Sequence, residues 1–297
     1  MRTKGLLALA AAAATALSLA ACSSGSSESG SAGTSGSLEF PVATSVDLTD
    51  SPTFDAMQSN GKVRVGVKED QPGLGYLDAV TGERSGFDIE IATWIAAELG
   101  FSPDQIEFQK IPSANREQAI INGDIDYYVG TYSITDKRKE QVGFAGPYFI
   151  TGQGLLVTAD NTDITSDQDL AGKTVCSATG STPIQNIKDN YPDTKTTEFD
   201  NYSQCVEALK DGTVDAVTTD QAILIGYAAQ EPDALKVVGE PFSVEKYGVG
   251  LPKDDAALRH FINNVFTDGG DTWTKIYDET LGASGTKVEQ PAVDDYE

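Results

Sequence analysis

A helix, a glycine turn and a short apolar strand occur twice in this chain, and that repetition constrains its fold more than any other feature. In the first copy Arg116–Ile121 is amphipathic, Gly123-Asp124-Ile125-Asp126 turns, and Ile125–Val129 is predicted as the strand. In the second, Cys205–Lys210 is the helix, Gly212-Thr213-Val214-Asp215 the turn, and the strand ends at Thr218-Thr219-Asp220. Strand and helix patterns alternate along the rest of the chain as well, which is the signature of α/β architecture. The endings of the two units differ. The first runs into Gly130-Thr131-Tyr132-Ser133, then Thr135 and Arg138; the second stops on an acid. Unpaired N–H groups ahead of a helix, two hydroxyls and a guanidinium suit a carboxylate. The plainer account is ordinary capping by Thr135, with Arg138 a solvated charge. Opposite charges at the ends of two like units suggest two lobes closing on a zwitterion, and an amino acid fits.

The first strand is predicted at Lys62–Val67, followed by a helix over Phe87–Leu99 with Phe87, Ile91, Ile95 and Leu99 on one face and Gly100 as its stop. Gly152–Thr158 is the first crossing between lobes, and Val244–Leu251 the return. Helices at Ala256–Phe266 and Asp271–Leu281 then rejoin the first lobe. Two crossings make a hinge about which closure is nearly rigid-body.

The N-terminus reads as an export signal. Arg2 and Lys4 precede an apolar stretch, Leu6–Ala21, shorter than the roughly twenty residues a membrane span needs. It ends Leu19-Ala20-Ala21-Cys22, which resembles a lipobox whose cysteine is acylated; a plain secretory signal with a chance cysteine is the alternative. Residues 23–37 are nearly all Ser, Gly, Ala, Thr and Glu and cannot bury a core, as expected of a flexible tether. The expected layout is therefore a signal peptide over 1–21, lipidated Cys22 and a tether over 22–53, a first lobe from 54–150 and 247–285, a second lobe from 151–246, and an acidic tail over 286–297.

Loss of residues 1–21 removes two basic residues and no acid, taking the net charge from −24 to −26. That charge argues against nucleic acid and against anionic lipid as partners. Cys176 and Cys205 are left as an even pair: outside the membrane they imply a disulfide, with two buried free thiols as the rival. Their spacing fits no zinc pattern, and the single histidine, His260, reads as a surface helix position, so neither metal nor cofactor is expected.

These segments, in their order and spacing, resemble the bacterial extracellular solute-binding proteins for polar amino acids, the capture subunits of ABC importers. The resemblance is carried by Val63–Val67, Ser85-Gly86-Phe87-Asp88-Ile89, Ser133–Arg138, Phe144-Ala145-Gly146-Pro147-Tyr148, Asp169–Lys173, Gly180-Ser181-Thr182 and Gly212–Asp220. Asp70–Gly75 and Tyr132–Glu140 are most similar to actinobacterial glutamate-binding lipoproteins. The resemblance implies a two-lobed periplasmic-binding-protein-like (type II) fold, a monomer without catalytic residues, anchored by lipid at the outer face of the cell membrane and serving an ABC permease. It also implies roles. Arg138, with Gly130, Thr131 and Ser133, would grip the α-carboxylate, joined from the other lobe by Ser181 and Thr182; Asp220 would take the α-ammonium. Lys68 would select a second carboxylate, hence glutamate or aspartate. Gln71 stands where many relatives carry a stacking aromatic.

Two alternatives remain at this point: a binding protein for glutamine, asparagine or another polar amino acid, and, more remotely, a cyclohexadienyl-dehydratase-like enzyme. Lys68 has its own plain account as a rim lysine paired with Glu69 or Asp70, and Arg116 is a second candidate cation that fits a structural salt bridge equally well. With distant charges screened beyond about 8 Å at physiological salt, added salt is expected to leave association of an amino acid unchanged or slightly faster in stopped-flow measurements. A steep slowdown would reveal a steering basic surface.

Overall fold

The alternating valines of Val63–Val67 lie fully buried in the first strand of a sheet, as their period predicts. The structure, a computed structural model, describes residues 38–282 and 288–296. In chain order its strands are β1 (Val63–Val67), β2 (Asp70–Gln71), β3 (Gly75–Leu77), β4 (Arg84–Ser85), β5 (Ile106–Lys110), β6 (Tyr127–Tyr128), β7 (Gly143–Thr151), β8 (Gln153–Thr158), β9 (Thr174–Ala178), β10 (Lys195–Phe199), β11 (Ala216–Asp220), β12 (Leu235–Val238) and β13 (Glu245–Leu251). Its α-helices are α1 (Pro52–Asn60), α2 (Phe87–Glu98), α3 (Arg116–Ile121), α4 (Asp136–Lys139), α5 (Thr182–Asn190), α6 (Tyr202–Lys210), α7 (Gln221–Gln230), α8 (Ala256–Asp268) and α9 (Gly270–Thr280).

Two sheets define two lobes: β5-β1-β6-β13-β7 in the first and β10-β9-β11-β8-β12 in the second, with β2, β3 and β4 forming a small antiparallel sheet beside the first. Each large sheet holds three parallel strands flanked by one antiparallel strand, β13 in the first and β8 in the second. The chain passes from β7 to β8 through Gly152 and returns through residues 239–244 into β13. There Glu245 pairs with Thr151, so the outgoing and returning strands run side by side. The Cys176–Cys205 disulfide is formed and fully buried, tying β9 to α6.

Three expectations need correction, and the C-terminal tail adds a contact. Only Tyr127–Tyr128 of the predicted Ile125–Val129 strand is laddered, because β13 meets β6 at the single pair Gly250–Tyr128. Helix α2 is buried all round from Phe87 to Ala97 rather than on one face. It packs against β1 and the small sheet as well as α8 and α9, and the Leu38, Phe40, Val46 and Leu48 side chains add to the same core. Those apolar residues also shorten the tether. Leu38 N–H donates to the Glu90 carboxylate and Ala43 N–H to the Ala97 carbonyl, and Ser51 caps α1, so residues 38–53 belong to the folded body. Finally, residues 288–296 of the acidic tail are docked. Phe144 N–H donates to the Tyr296 hydroxyl at 2.7 Å, the Tyr296 ring lies against Lys139 and Arg259, and Lys246 pairs with Asp294. Cys22, the signal segment and the start of the tether lie outside the described residues.

The disulfide closes a loop spanning 29 positions, which by chain entropy is worth roughly 3–4 kcal/mol. A Cys176→Ser/Cys205→Ser protein is expected to unfold at lower urea by about that free energy, with an unchanged far-ultraviolet spectrum below the transition.

Candidate functional site

The parallel strands of both sheets end at the cleft between the lobes, and polar residues follow each end. Lys68 follows β1; Gly130, Thr131 and Ser133 follow β6; Ser181 and Thr182 follow β9; Asp220 closes β11. Ligands of open α/β sheets bind at such carboxyl ends. Of the predicted residues, Lys68, Gln71, Thr131, Ser133, Arg138, Ser181 and Asp220 are all buried.

Lys68 is not a rim lysine. It is 4 % exposed, and its ammonium donates to Ser113 Oγ at 2.8 Å, with no carboxylate in ion-pair reach among the described residues. Burial, and then the neighbouring Arg116, lower its pKa to about 7. Glu69 instead pairs with Arg84, and Asp70 accepts from Ser203 N–H and the Tyr227 hydroxyl. Arg116 is equally enclosed and makes no salt bridge among the described residues. Its guanidinium lies 4.3 Å from the Tyr132 ring centroid and donates to the Ser113 and Gly180 carbonyls.

Across the cleft, Asp220 Oδ2 accepts from the Tyr247 hydroxyl at 2.7 Å, while Oδ1 is buried with no hydrogen-bond partner among the described residues. Burial, then the nearby Glu245 charge, raise its pKa to about 8. A buried ammonium without an anion and a buried carboxylate with an orphan oxygen therefore come from different lobes. Each is costly in isolation.

Arg138 departs from expectation. Its helix, α4, has only four residues, so it offers little helix dipole, and Thr135 caps it in the plain manner. The guanidinium is buried and fully engaged by protein. Nη1 donates to Ser133 O at 2.7 Å, Nη2 to Gly180 O at 3.1 Å, and Nε pairs with Glu117 at 3.2 Å. A fork aimed at a ligand would have to exchange some of these contacts. The edge facing Glu117 opens onto a cavity of about 400 Å³ lined also by Ser181 and Thr182. Thr182 Oγ1 donates to Glu245 at 2.8 Å and lies 3.2 Å from Ser133 Oγ, bridging the lobes.

Several residues that shape the site carry no local signal in the sequence. Asp88 Oδ2 accepts the Thr131 N–H at 2.9 Å and Oδ1 accepts the Tyr148 hydroxyl at 2.8 Å. That contact takes the Thr131 amide away from any ligand. It also holds Thr131 at φ 49°, a left-handed conformation that β-branched residues avoid. Gln71 Nε2 donates to Thr131 Oγ1 at 3.1 Å, so it supports the loop as well as facing the cleft. Ser113, Glu117, Tyr247 and Glu245 complete the wall. The Ser85–Ile89 motif pointed toward Asp88; nothing near Tyr247 or Glu245 did. Gly130 has no room for a side chain, since a Cβ would lie 2.7 Å from the Tyr128 hydroxyl.

A hinged pair of lobes with buried, opposite charges at their meeting strand ends is the anatomy of a solute-binding protein. The chain belongs to the family of bacterial extracellular solute-binding proteins, family 3, which matches over residues 63–283. It is 43 % identical over 251 residues to the glutamate-binding protein GluB of Corynebacterium glutamicum, covering 80 % of this chain and 84 % of that one. It is 42 % identical over 203 residues to a glutamine-binding protein of Geobacillus stearothermophilus, covering 68 % and 77 %. Among solved structures, the cysteine-binding protein of Campylobacter jejuni superposes with a TM-score of 0.75 at 33 % identity, over 81 % of this chain and 98 % of that one.

The two perturbed groups give opposite pH signatures without ligand. Asp220 is raised from 3.8 to about 8, so the folded state holds the extra proton and stability is lost as pH rises through that window. Lys68 is lowered from 10.5 to about 7, so stability is lost as pH falls from the first value to the second. In urea unfolding, Asp220→Asn should therefore stabilise the unliganded protein by an amount that grows as pH rises toward 8. Lys68→Met should stabilise it most below 7 and least near 10.5.

Proposed function

We propose that this chain captures an acidic amino acid, glutamate first, by closing its lobes, and delivers it to an ABC permease while tethered through lipidated Cys22 to the outer face of the membrane. The observation that carries the reading is the buried Lys68 ammonium with its Ser113 hydroxyl and no carboxylate, set against Asp220 with its orphan oxygen. Glutamate supplies the missing anion to Lys68 and Arg116 through its side chain and the missing cation to Asp220 through its ammonium. Its α-carboxylate takes over part of the Arg138 and Ser133 bonding that Gly180 O and Glu117 hold without it. Full contact requires both lobes, so binding favours closure by the differential affinity a population shift needs. The relative named for glutamate supports this substrate class.

Glutamine is the second reading, favoured by the likeness to the glutamine-binding protein of Geobacillus stearothermophilus; burial, which lowers the Lys68 pKa, would let that lysine shed its proton and accept a hydrogen bond from an amide. A dehydratase acting on cyclic precursors is disfavoured. It needs a proton donor in a largely apolar pocket, whereas Asp220 shares its cleft with Lys68, Arg116 and Arg138. Monomeric action fits a site completed by two lobes of one chain.

Calorimetry with glutamate, aspartate, glutamine and asparagine on protein lacking residues 1–22 tests the reading. Lys68→Ala is expected to weaken glutamate by about tenfold to a hundredfold, the worth of a charged hydrogen bond, and glutamine by much less. Equal losses would refute the role of Lys68.

A further inference from the structure

The lobes also meet at a second place, beside the Lys68 end of the cleft. In the first lobe, β2 and the turn after it present Asp70 and Pro72; in the second, the N-terminus of α6 and the middle of α7 face them. Asp70 Oδ2 accepts the Ser203 N–H at 3.0 Å, supplying a partner to one of the amide groups that open α6. The Tyr227 hydroxyl, from α7, donates to the Asp70 carbonyl and lies 3.3 Å from its carboxylate. The residue before Tyr227, Gly226, packs so tightly on Pro72 that a Cβ there would sit 2.1 Å from the Pro72 carbonyl oxygen. A glycine inside a ten-residue helix costs stability, and its backbone lies in the ordinary helical region, so local conformation does not call for it. The close approach across the lobe boundary does.

We infer that Asp70, Tyr227 and Gly226 form a latch between the lobes, positioning residues that set ligand affinity by stabilising the closed form without touching the ligand. The inference rests on capture by lobe closure as proposed above, but not on which amino acid is captured. A latch of this kind acts on dissociation. Its bonds exist only when the lobes meet, so weakening them speeds opening and leaves first encounter unchanged. It also acts equally on all ligands, because every one of them shares the same closed frame. Asp70 is close enough to Lys68 to favour its charged form, so substitution at Asp70 would mix latch and specificity. Gly226 and Tyr227 isolate the latch, since replacing them with Ala and Phe changes no charge.

The test uses the mature chain and the two tightest binders among glutamate, glutamine, arginine and cysteine. Gly226→Ala is expected to raise both dissociation constants by the same factor, about tenfold or more, from the overpacking it introduces. The change should lie in the dissociation rate. Melting of the unliganded protein should stay the same or rise, since Ala is the better helix former, which excludes a merely destabilising effect. Tyr227→Phe should act in the same direction, by about threefold to tenfold. Unchanged affinities in both variants, or loss confined to one ligand, would overturn the latch. A wild-type preference for arginine or cysteine would instead sink the glutamate reading and leave the latch to be judged by the equality of the two factors.

Discussion

A buried charge with no counter-charge in ion-pair reach among the described residues is the constraint on which this molecule is organised. Lys68 sits at the end of β1 with one hydroxyl for company, and Asp220 sits at the end of β11 with one oxygen unpartnered. Folding normally avoids both situations, because the desolvation of an ion is repaid only by a partner. The chain tolerates them as shifts in proton affinity: burial moves Lys68 toward neutrality and Asp220 toward protonation. A solute carrying the complementary charges would reverse both shifts at once. The tension between the chain's overall negative charge and an anionic solute then disappears, since a few buried cations at contact distance outweigh screened acids on the far surface.

The sheets explain why these charges can be brought together and separated. Each lobe is built on its own parallel strands, so the polar loops that follow β1, β6, β9 and β11 are positioned by rigid elements and not by each other. Only two short connections cross, and the Glu245–Thr151 pairing keeps them adjacent. Relative motion is thereby confined to a hinge, while the geometry within each half of the site is preserved. The loop at Thr131 illustrates the price of that precision: its strained backbone is retained because Asp88 and Gln71 hold it from two sides.

How much of this was legible in the sequence follows from the range of each interaction. The repeated helix–turn–strand unit announced both lobes, because a glycine turn and the periodicities on either side of it are local. The cysteine pair announced its bond because the candidates were few. The strand ends bearing Lys68, Ser133 and Asp220 could be located for the same reason. What could not be read were partnerships made by distant segments. Glu117 against Arg138, Tyr247 against Asp220 and Asp88 beneath Thr131 depend on how the sheets stack, and no spacing encodes them. Residues 38–48 were misjudged with the Ser/Gly tether because they follow it without a break, although Leu38, Phe40, Val42, Val46 and Leu48 fall on alternate positions.

A binding protein that serves a transporter must also let go, and this sets a limit on every contact between its lobes. Thr182 with Ser133 and Glu245, Gly180 O with two guanidiniums, and Asp70 with α6 all favour the closed form. Each is a neutral or singly charged hydrogen bond worth a kilocalorie or so net. These bonds lie beside an apolar contact, since one buried cluster includes Leu74, Phe149 and Tyr247 of the first lobe and Tyr202, Leu224 and Tyr227 of the second. A closed state stitched by several weak bonds can be tipped by a ligand worth a few kilocalories and released again by a partner that competes for the same surfaces. The cost of leaving Lys68 and Asp220 unpaired opposes closure over an empty cleft, and a ligand that pairs both removes it. The weak polar bonds of the junction and the unpaired charges of the cleft thus answer to one requirement, that closure depend on what is held.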